Sequence, residues 1–308
     1  MEPVDEQPPA EIDVPRSRSE RARLRAAAVK ARGRLLAERA DAERSRHASV
    51  DAVFEMVDRD LEVGGGIIAG ALAYRLFIWL LPAALVAVAG LGIAADAAEE
   101  SPKRAAESMG LSGLVTNSVA SAANSSARWY ALVIGIPLLV FATRSVLRVL
   151  IVAHRLVWID VRATAPRPTL RSTLLLLALL LAFDAVSALA SVARARSDGP
   201  GILATLAAGA VYAGLWLVAS RRLPHRDAGW AGLLPGAVVV GAGLELLHVV
   251  VAYVIVPWAL TRQGTYGALG VSATLLFGLF LTARLVVGAA VVNATLWERR
   301  SRRSPVAR

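Results

Sequence analysis

The chain has 308 residues, 56% of them hydrophobic, and a mean hydropathy of +0.54. About half of the residues of a soluble domain are apolar, so this composition favours a membrane protein. The chain has no cysteine, which excludes disulfides, thiolate nucleophiles and cysteine-bound metal sites. The net charge of +10 comes from basic residues that lie between apolar runs, which favours anionic lipid headgroups as partners and argues against nucleic acid.

The first 48 residues form an N-terminal segment without an apolar core. Residues 1–18 are polar and rich in proline, a composition typical of disorder. Residues 19–48 are rich in Arg, Ala and Glu, which predicts a solvated basic helix near the membrane. No aromatic residue is interleaved there for base stacking, which again argues against a nucleic-acid-binding tail.

Residues 49–66 predict an amphipathic helix. Apolar residues recur there at helical spacing, with charged residues between them: Val50, Val53, Phe54, Val57 and Leu61. We expect this helix to lie flat on the membrane surface. It leads through three glycines, residues 64–66, into the first membrane span.

Six apolar stretches are long enough to cross a bilayer as helices, which needs about 20 residues each. Together they predict an all-α, polytopic membrane helix bundle over residues 67–297, followed by a basic tail, residues 298–308. The predicted spans are residues 67–95, 129–153, 173–193, 202–220, 230–258 and 267–296.

The distribution of basic residues predicts the orientation. Of the 34 Lys and Arg residues, 24 lie before the first span, in the second and fourth connections, or after the sixth span, and six lie in the other connections. Basic residues favour the cytoplasmic side of a membrane. We therefore expect a multi-pass protein of the cell (inner or plasma) membrane with both termini in the cytoplasm.

Several polar and ionisable residues fall inside the predicted spans, where each charge costs roughly 2.5–3.5 kcal/mol. The candidates for an intramembrane polar cavity are Tyr74, Arg75, Asp184, Glu245, His248, Arg284 and Asn293. With its excess of arginine, such a cavity would suit an anionic solute or a lipid headgroup. The alternative is a structural ion pair between Glu245 and either Arg75 or Arg284. Arg144 and Arg148 lie nearer the inner end of the second span, and we expect their side chains to reach the headgroups.

Prolines and small residues predict how the spans bend and pack. Small residues spaced four apart, such as Gly232 with Gly236 and Ala237 with Gly241, predict close helix crossings, within one chain or in a homo-oligomer. Interrupted helices often line transport sites, although kinks also occur without function. The predicted kinks are at Pro82, Pro137, Pro235 and Pro257.

Three stretches, in their order and spacing, resemble the YihY/BrkB family of inner-membrane proteins, formerly labelled ribonuclease BN. They are Ala69–Tyr74 with Pro82, Leu234–Ala237 followed by Glu245 and Tyr253, and Tyr266–Gly270 leading to Asn293. The resemblance covers most of residues 64–300. It implies a six-helix integral membrane protein, a proposed transporter or envelope factor, and it supplies no reaction.

These observations favour a transporter or lipid-handling protein for an anionic solute or headgroup. The alternative is a membrane scaffold or envelope-integrity factor that recruits partners through the basic N-terminus. Ribonuclease activity needs clustered metal ligands in water, whereas the four histidines are dispersed along the chain. Residues 64–66 also lack the lysine and hydroxyl residue of a phosphate-binding loop. We therefore expect no enzyme activity and no cofactor or metal.

Overall fold

The computed structural model describes residues 47–97, 128–159, 167–196, 201–251 and 263–303. Within these residues the chain forms seven helices and no strand. The helices are α1 (Ala48–Glu62), α2 (Gly65–Ala97), α3 (Arg128–Ile159), α4 (Leu170–Arg196), α5 (Ile202–Arg222), α6 (Trp230–Val250) and α7 (Gln263–Arg303). The last six are long and apolar enough to cross a membrane, so the predicted all-α, six-span class is confirmed.

Most of the observed helices extend beyond the predicted spans. α3 continues to Ile159, and α7 continues to Arg303, into the segment that we expected to be a basic tail. α6 ends at Val250. The predicted continuation to residue 258, Pro257, the first 46 residues and the long connection over residues 98–127 lie outside the described residues.

A two-residue turn, Val63–Gly64, joins α1 to α2. Gly64 has a φ of 66°, in the left-handed region where a side chain is strained and glycine is not. The amide of Gly64 donates to the carbonyl of Leu61, and the carbonyl of Gly64 accepts from Ile67 and Ile68 in the first turn of α2. Gly64 therefore makes a defined turn, and Gly65 and Gly66 are the first residues of α2.

The six long helices form a ring in the order α2, α7, α6, α5, α4, α3, and α3 also contacts α7. Consecutive helices run in opposite directions. We call the end where α3, α5 and α7 finish the Trp158 end, and the end where α4 finishes and α5 begins the Arg194 end. Because a helix satisfies its own backbone hydrogen bonds, this ring can lie in hydrocarbon without exposing unpaired amides.

Close crossings hold α6 in the ring. A Cβ on Gly241 would overlap the backbone of Gly209 in α5, and a Cβ on Gly236 would overlap the side chain of Asn293 in α7. The predicted small-residue seams are thus present along α6. Gly66 and Gly70 of α2 have the same four-residue spacing, which also predicts a close crossing. Both have open space where a Cβ would lie, so they form no close crossing among the described residues.

Candidate functional site

The predicted polar residues do not converge on one cavity. The structure distributes them over five places in the bundle: two ion pairs, one buried hydrogen bond, an arginine-lined groove, and a central cavity that takes Asp184 and His248. Of the seven side chains that we expected in one cavity, the described structure brings only those of Asp184 and His248 together in the central cavity.

Glu245 pairs with Arg194, and not with Arg75 or Arg284, the partners that the alternative structural ion pair would have used. The distance from Arg194 Nη1 to Glu245 Oε2 is 3.2 Å. Arg194 lies in the last turn of α4, in a stretch that the sequence assigned to a connection. Because α4 is longer than predicted, its final turn carries this arginine to the Arg194 end of α6. Glu245 is buried, and its Oε1 atom has no hydrogen-bond partner among the described residues.

Arg284 pairs with Asp60 of α1. Its Nη1 and Nη2 atoms donate to Asp60 Oδ1 and Oδ2, each at 3.0 Å. Gly65 makes room for this pair, since a Cβ there would overlap the Asp60 carboxylate. Asp60 falls within the predicted interfacial helix over residues 49–66, and its role as the partner of an intramembrane arginine was not predicted.

A second ion pair joins α1 to α7. Arg59 donates two hydrogen bonds to Glu298, at 2.7 and 3.1 Å, and a third to the carbonyl of Val157 at 3.1 Å. Arg226 and Arg302 also lie within 4 Å of the Glu298 carboxylate. The neighbouring residues Arg59 and Asp60 thus form ion pairs with two residues of α7, Glu298 and Arg284. The sequence did not indicate these partners.

Asn293 is 2% exposed and completes the backbone of α6. Its Oδ1 accepts a hydrogen bond from the amide of Gly236 at 2.6 Å. The proline at position 235 cannot bond to the carbonyl of Ala231, and Arg300 donates to that carbonyl at 3.4 Å. Asn293 therefore joins α6 to α7, and it lines neither of the two cavities described below. All three helices continue through their prolines, α2 through Pro82, α3 through Pro137 and α6 through Pro235.

Three arginines line a groove between α2 and α3. Arg75, Arg144 and Arg148 are exposed and share this groove, whose volume is ≈490 Å³. The other lining residues are apolar except for Ser145. We call this surface the arginine groove. Tyr74 is 55% exposed beside it, and its ring centroid is 5.9 Å from the Arg75 guanidinium carbon.

The arginine groove lies within the membrane-spanning length of its two helices. Arg75 is ten residues after the start of α2, and Arg148 is eleven before the end of α3, so each lies about 15–16 Å from the Trp158 end of its helix. Arg144 lies about one turn deeper, at about 22 Å on the same scale. The 32 residues of α3 measure about 48 Å against roughly 30 Å of hydrocarbon. With α3 centred, Arg148 lies about 7 Å and Arg144 about 13 Å inside the hydrocarbon boundary.

The charge of the arginine groove is not compensated within the described chain. No Asp or Glu lines it, and none of its three guanidinium groups forms an ion pair with a described residue. Large apolar side chains around it are exposed, including Ile67 at 82% and Phe141 at 71%. The groove is therefore a cluster of positive charge on a face that is otherwise suited to lipid chains.

The family comparison covers this whole arrangement. A family model described as "Virulence factor BrkB" matches residues 59–308. The chain belongs to this family. The BrkB match begins at Arg59, so it includes both ion-pairing residues of α1 and all six long helices, and leaves out residues 1–58. Membership of the BrkB family and the six apolar helices together show an integral, multi-pass membrane protein. Neither the curated proteins nor the solved structures gave a match.

Proposed function

We propose that this BrkB-family protein binds the anionic headgroup of a membrane lipid in the arginine groove and handles that lipid within the bilayer. The observation that carries the proposal is the grouping of Arg75, Arg144 and Arg148 without a carboxylate on an exposed apolar face. Charges at membrane depth are expensive and generally mark a functional contact. A lipid phosphate supplies the missing negative charge, and guanidinium groups bind phosphate with strong, directional hydrogen bonds.

A lipid headgroup fits this groove better than a free anion. The groove is bordered by exposed isoleucine and phenylalanine side chains, which suit the acyl chains that accompany a headgroup. A small anion that binds from water would make no favourable contact with these apolar side chains. The spread of the three arginines over about 6 Å of depth also provides successive contacts for a phosphate that moves along the groove.

Binding of phosphatidylglycerol and phosphatidylcholine to the purified protein, measured by native mass spectrometry, tests the first step. We expect a preference for phosphatidylglycerol that is lost when Arg75, Arg144 and Arg148 are all changed to Gln. Each charge-assisted hydrogen bond contributes about 1.5–3 kcal/mol, so the affinity should fall more than tenfold. The matched control changes three exposed arginines at the Trp158 end, Arg167, Arg171 and Arg222, to Gln. An equal loss in that control would contradict the proposal.

Movement is tested separately in proteoliposomes. A fluorescent phosphatidylglycerol reports exchange between leaflets through its quenching by dithionite, and radiolabelled glycerol phosphate reports uptake of the free anion. We expect lipid exchange that depends on the groove arginines and no uptake of glycerol phosphate. Uptake of glycerol phosphate without lipid exchange would mean that the substrate is a soluble anion and not a lipid. If neither activity is found, only the proposed binding of the lipid remains.

We also propose that the Trp158 end faces the cytoplasm, with both termini on that side, in the cell membrane. The support is the bias of basic residues, 24 of 34, toward this side of the spans. Reporter fusions after Arg308 and within residues 98–127 test the orientation. We expect cytoplasmic activity from the first fusion and export of the second, and the reverse pattern would invert the bundle.

A further inference from the structure

A second cavity, of ≈390 Å³, lies in the middle of the six-helix ring and is lined by residues of α2 through α7. On α4 the lining runs from Leu176 to Ser187, a distance of about 16 Å along the helix. The volume falls in the range of about 300–1,000 Å³ that is usual for small-molecule sites. No residue of the arginine groove contributes to it. We call it the central cavity.

One carboxylate faces the central cavity. Asp184 lines it and is exposed, as is Ser187 one turn later on the same helix. Within the described chain, Asp184 forms no hydrogen bond and no ion pair, whereas the other intramembrane carboxylate, Glu245, is paired with Arg194. His248 lines the cavity too. An unpaired carboxylate at membrane depth calls for a partner from outside the chain.

Aromatic rings surround the same space. Trp79, Phe183, Tyr212 and Trp216 all line the central cavity. Phe183 stacks on Tyr212 with ring centroids 5.6 Å apart and an interplanar angle of 9°. Trp216 is 5% exposed, and its indole Nε1 has no hydrogen-bond partner among the described residues. The faces of such rings attract cations, most strongly where water is excluded.

From this combination we infer that the central cavity binds a hydrophobic organic cation. The apolar lining excludes small hydrated ions, the aromatic rings and Asp184 favour positive charge, and Asp184 disfavours an anion of the same shape. A neutral hydrocarbon chain would leave the carboxylate uncompensated. The ligand class is therefore an ammonium or phosphonium ion with aromatic or branched apolar substituents. This inference is independent of the proposed lipid function, since it concerns a different site of opposite charge preference.

Binding of tetraphenylphosphonium to the full chain in lipid nanodiscs tests the inference, with empty nanodiscs as the blank. Tetraphenylborate has the same shape and the opposite charge, so it separates charge from hydrophobicity. We expect saturable binding of the cation, no competition by the borate, and at least tenfold weaker cation binding in Asp184→Asn. Equal binding of the two ions, or unchanged cation affinity in Asp184→Asn, would overturn the inference.

Two further variants keep the result interpretable. Glu62→Gln removes an exposed carboxylate from α1 and should leave cation binding unchanged. Should Asp184→Asn fail to fold, Trp216→Phe and Trp216→Leu take its place. Binding that survives in the phenylalanine variant and weakens in the leucine variant supports the inference, and equal affinities in the two contradict it. The triple arginine-groove variant should retain cation binding, and loss there would place the cation elsewhere.

Discussion

Arg284 in the last helix donates one hydrogen bond to each carboxylate oxygen of Asp60, which precedes it by 224 residues. The side chains are 35% and 19% exposed, so the pair is partly sheltered from water. Because Arg284 belongs to a membrane span and Asp60 to the last turn of α1, the pair fixes the α1–α2 turn against α7. The Asp60 carboxylate balances the charge of Arg284. The three arginines of the groove differ in this respect, because they have no ion-pair partner among the described residues.

The Asp60–Arg284 pair should stabilise the fold measurably. We expect Asp60→Asn and Arg284→Gln each to lower the free energy of unfolding by about 1–3 kcal/mol, because each leaves the remaining, partly buried charge without an opposite charge. The double variant should cost less than the sum of the two, which is the signature of direct coupling. Thermal unfolding in detergent, with Glu62→Gln as a control on the same helix, measures the effect. Strictly additive losses would show that the pair contributes nothing of its own.

Gly65 and Gly66 provide a matched test of the same turn. A Cβ on Gly65 would overlap the Asp60 carboxylate, whereas a Cβ on Gly66 would meet nothing within 4 Å. We expect Gly65→Ala to lower the melting temperature by about 3–9 °C, which corresponds to roughly 1–3 kcal/mol. Gly66→Ala should leave it unchanged or raise it slightly, since alanine favours helix by about 0.5–1 kcal/mol. Melting curves of the two purified variants decide this, and equal shifts would mean that the Asp60 contact is unimportant.

Removing the acceptor at Asn293 should loosen the contact between α6 and α7. Asn293→Leu deprives the Gly236 amide of its 2.6 Å hydrogen bond and places a branched side chain where a glycine has made close space. We expect the free energy of unfolding of Asn293→Leu to be lower by about 1–3 kcal/mol. Hydrogen exchange should show faster exchange at residues near Pro235 than elsewhere in α6. Ser301→Ala, which alters an exposed residue on the same helix, serves as the control, and wild-type exchange in Asn293→Leu would contradict this account.

The Arg194–Glu245 pair should respond asymmetrically to mutation. The Glu245 side chain is 10% exposed and that of Arg194 is 19% exposed. Arg194→Gln leaves a buried carboxylate without its cation, at a cost of about 3–5 kcal/mol. Glu245→Gln leaves no buried negative charge, and we expect it to cost less. Comparison of the melting temperatures of the two variants tests this order. A larger decrease in Glu245→Gln would contradict the expectation that the unpaired carboxylate is the more costly of the two charges.

The number and approximate limits of the spans were predictable from the sequence. An apolar run of about 20 residues has few alternatives to a helix in lipid, because the backbone must satisfy its own hydrogen bonds there. For that reason the predicted start of α5 at Ile202 and of α6 at Trp230 coincide with the observed starts. The overhang of α3 and α7 was missed because hydropathy falls where a helix leaves the hydrocarbon, although the helix itself continues.

The partners of the charged residues were decided by the tertiary structure alone. The sequence showed that Glu245 and Arg284 were costly in a membrane, yet their partners Arg194 and Asp60 lie outside the apolar runs, and only helix length and rotation bring them into reach. The ring order of the helices likewise separates Arg75 from Asp184, so one expected cavity became a positive groove and a negative cavity. Hydropathy is a sum along the chain and fixes depth in the bilayer, whereas the direction in which a side chain points depends on which helices are neighbours.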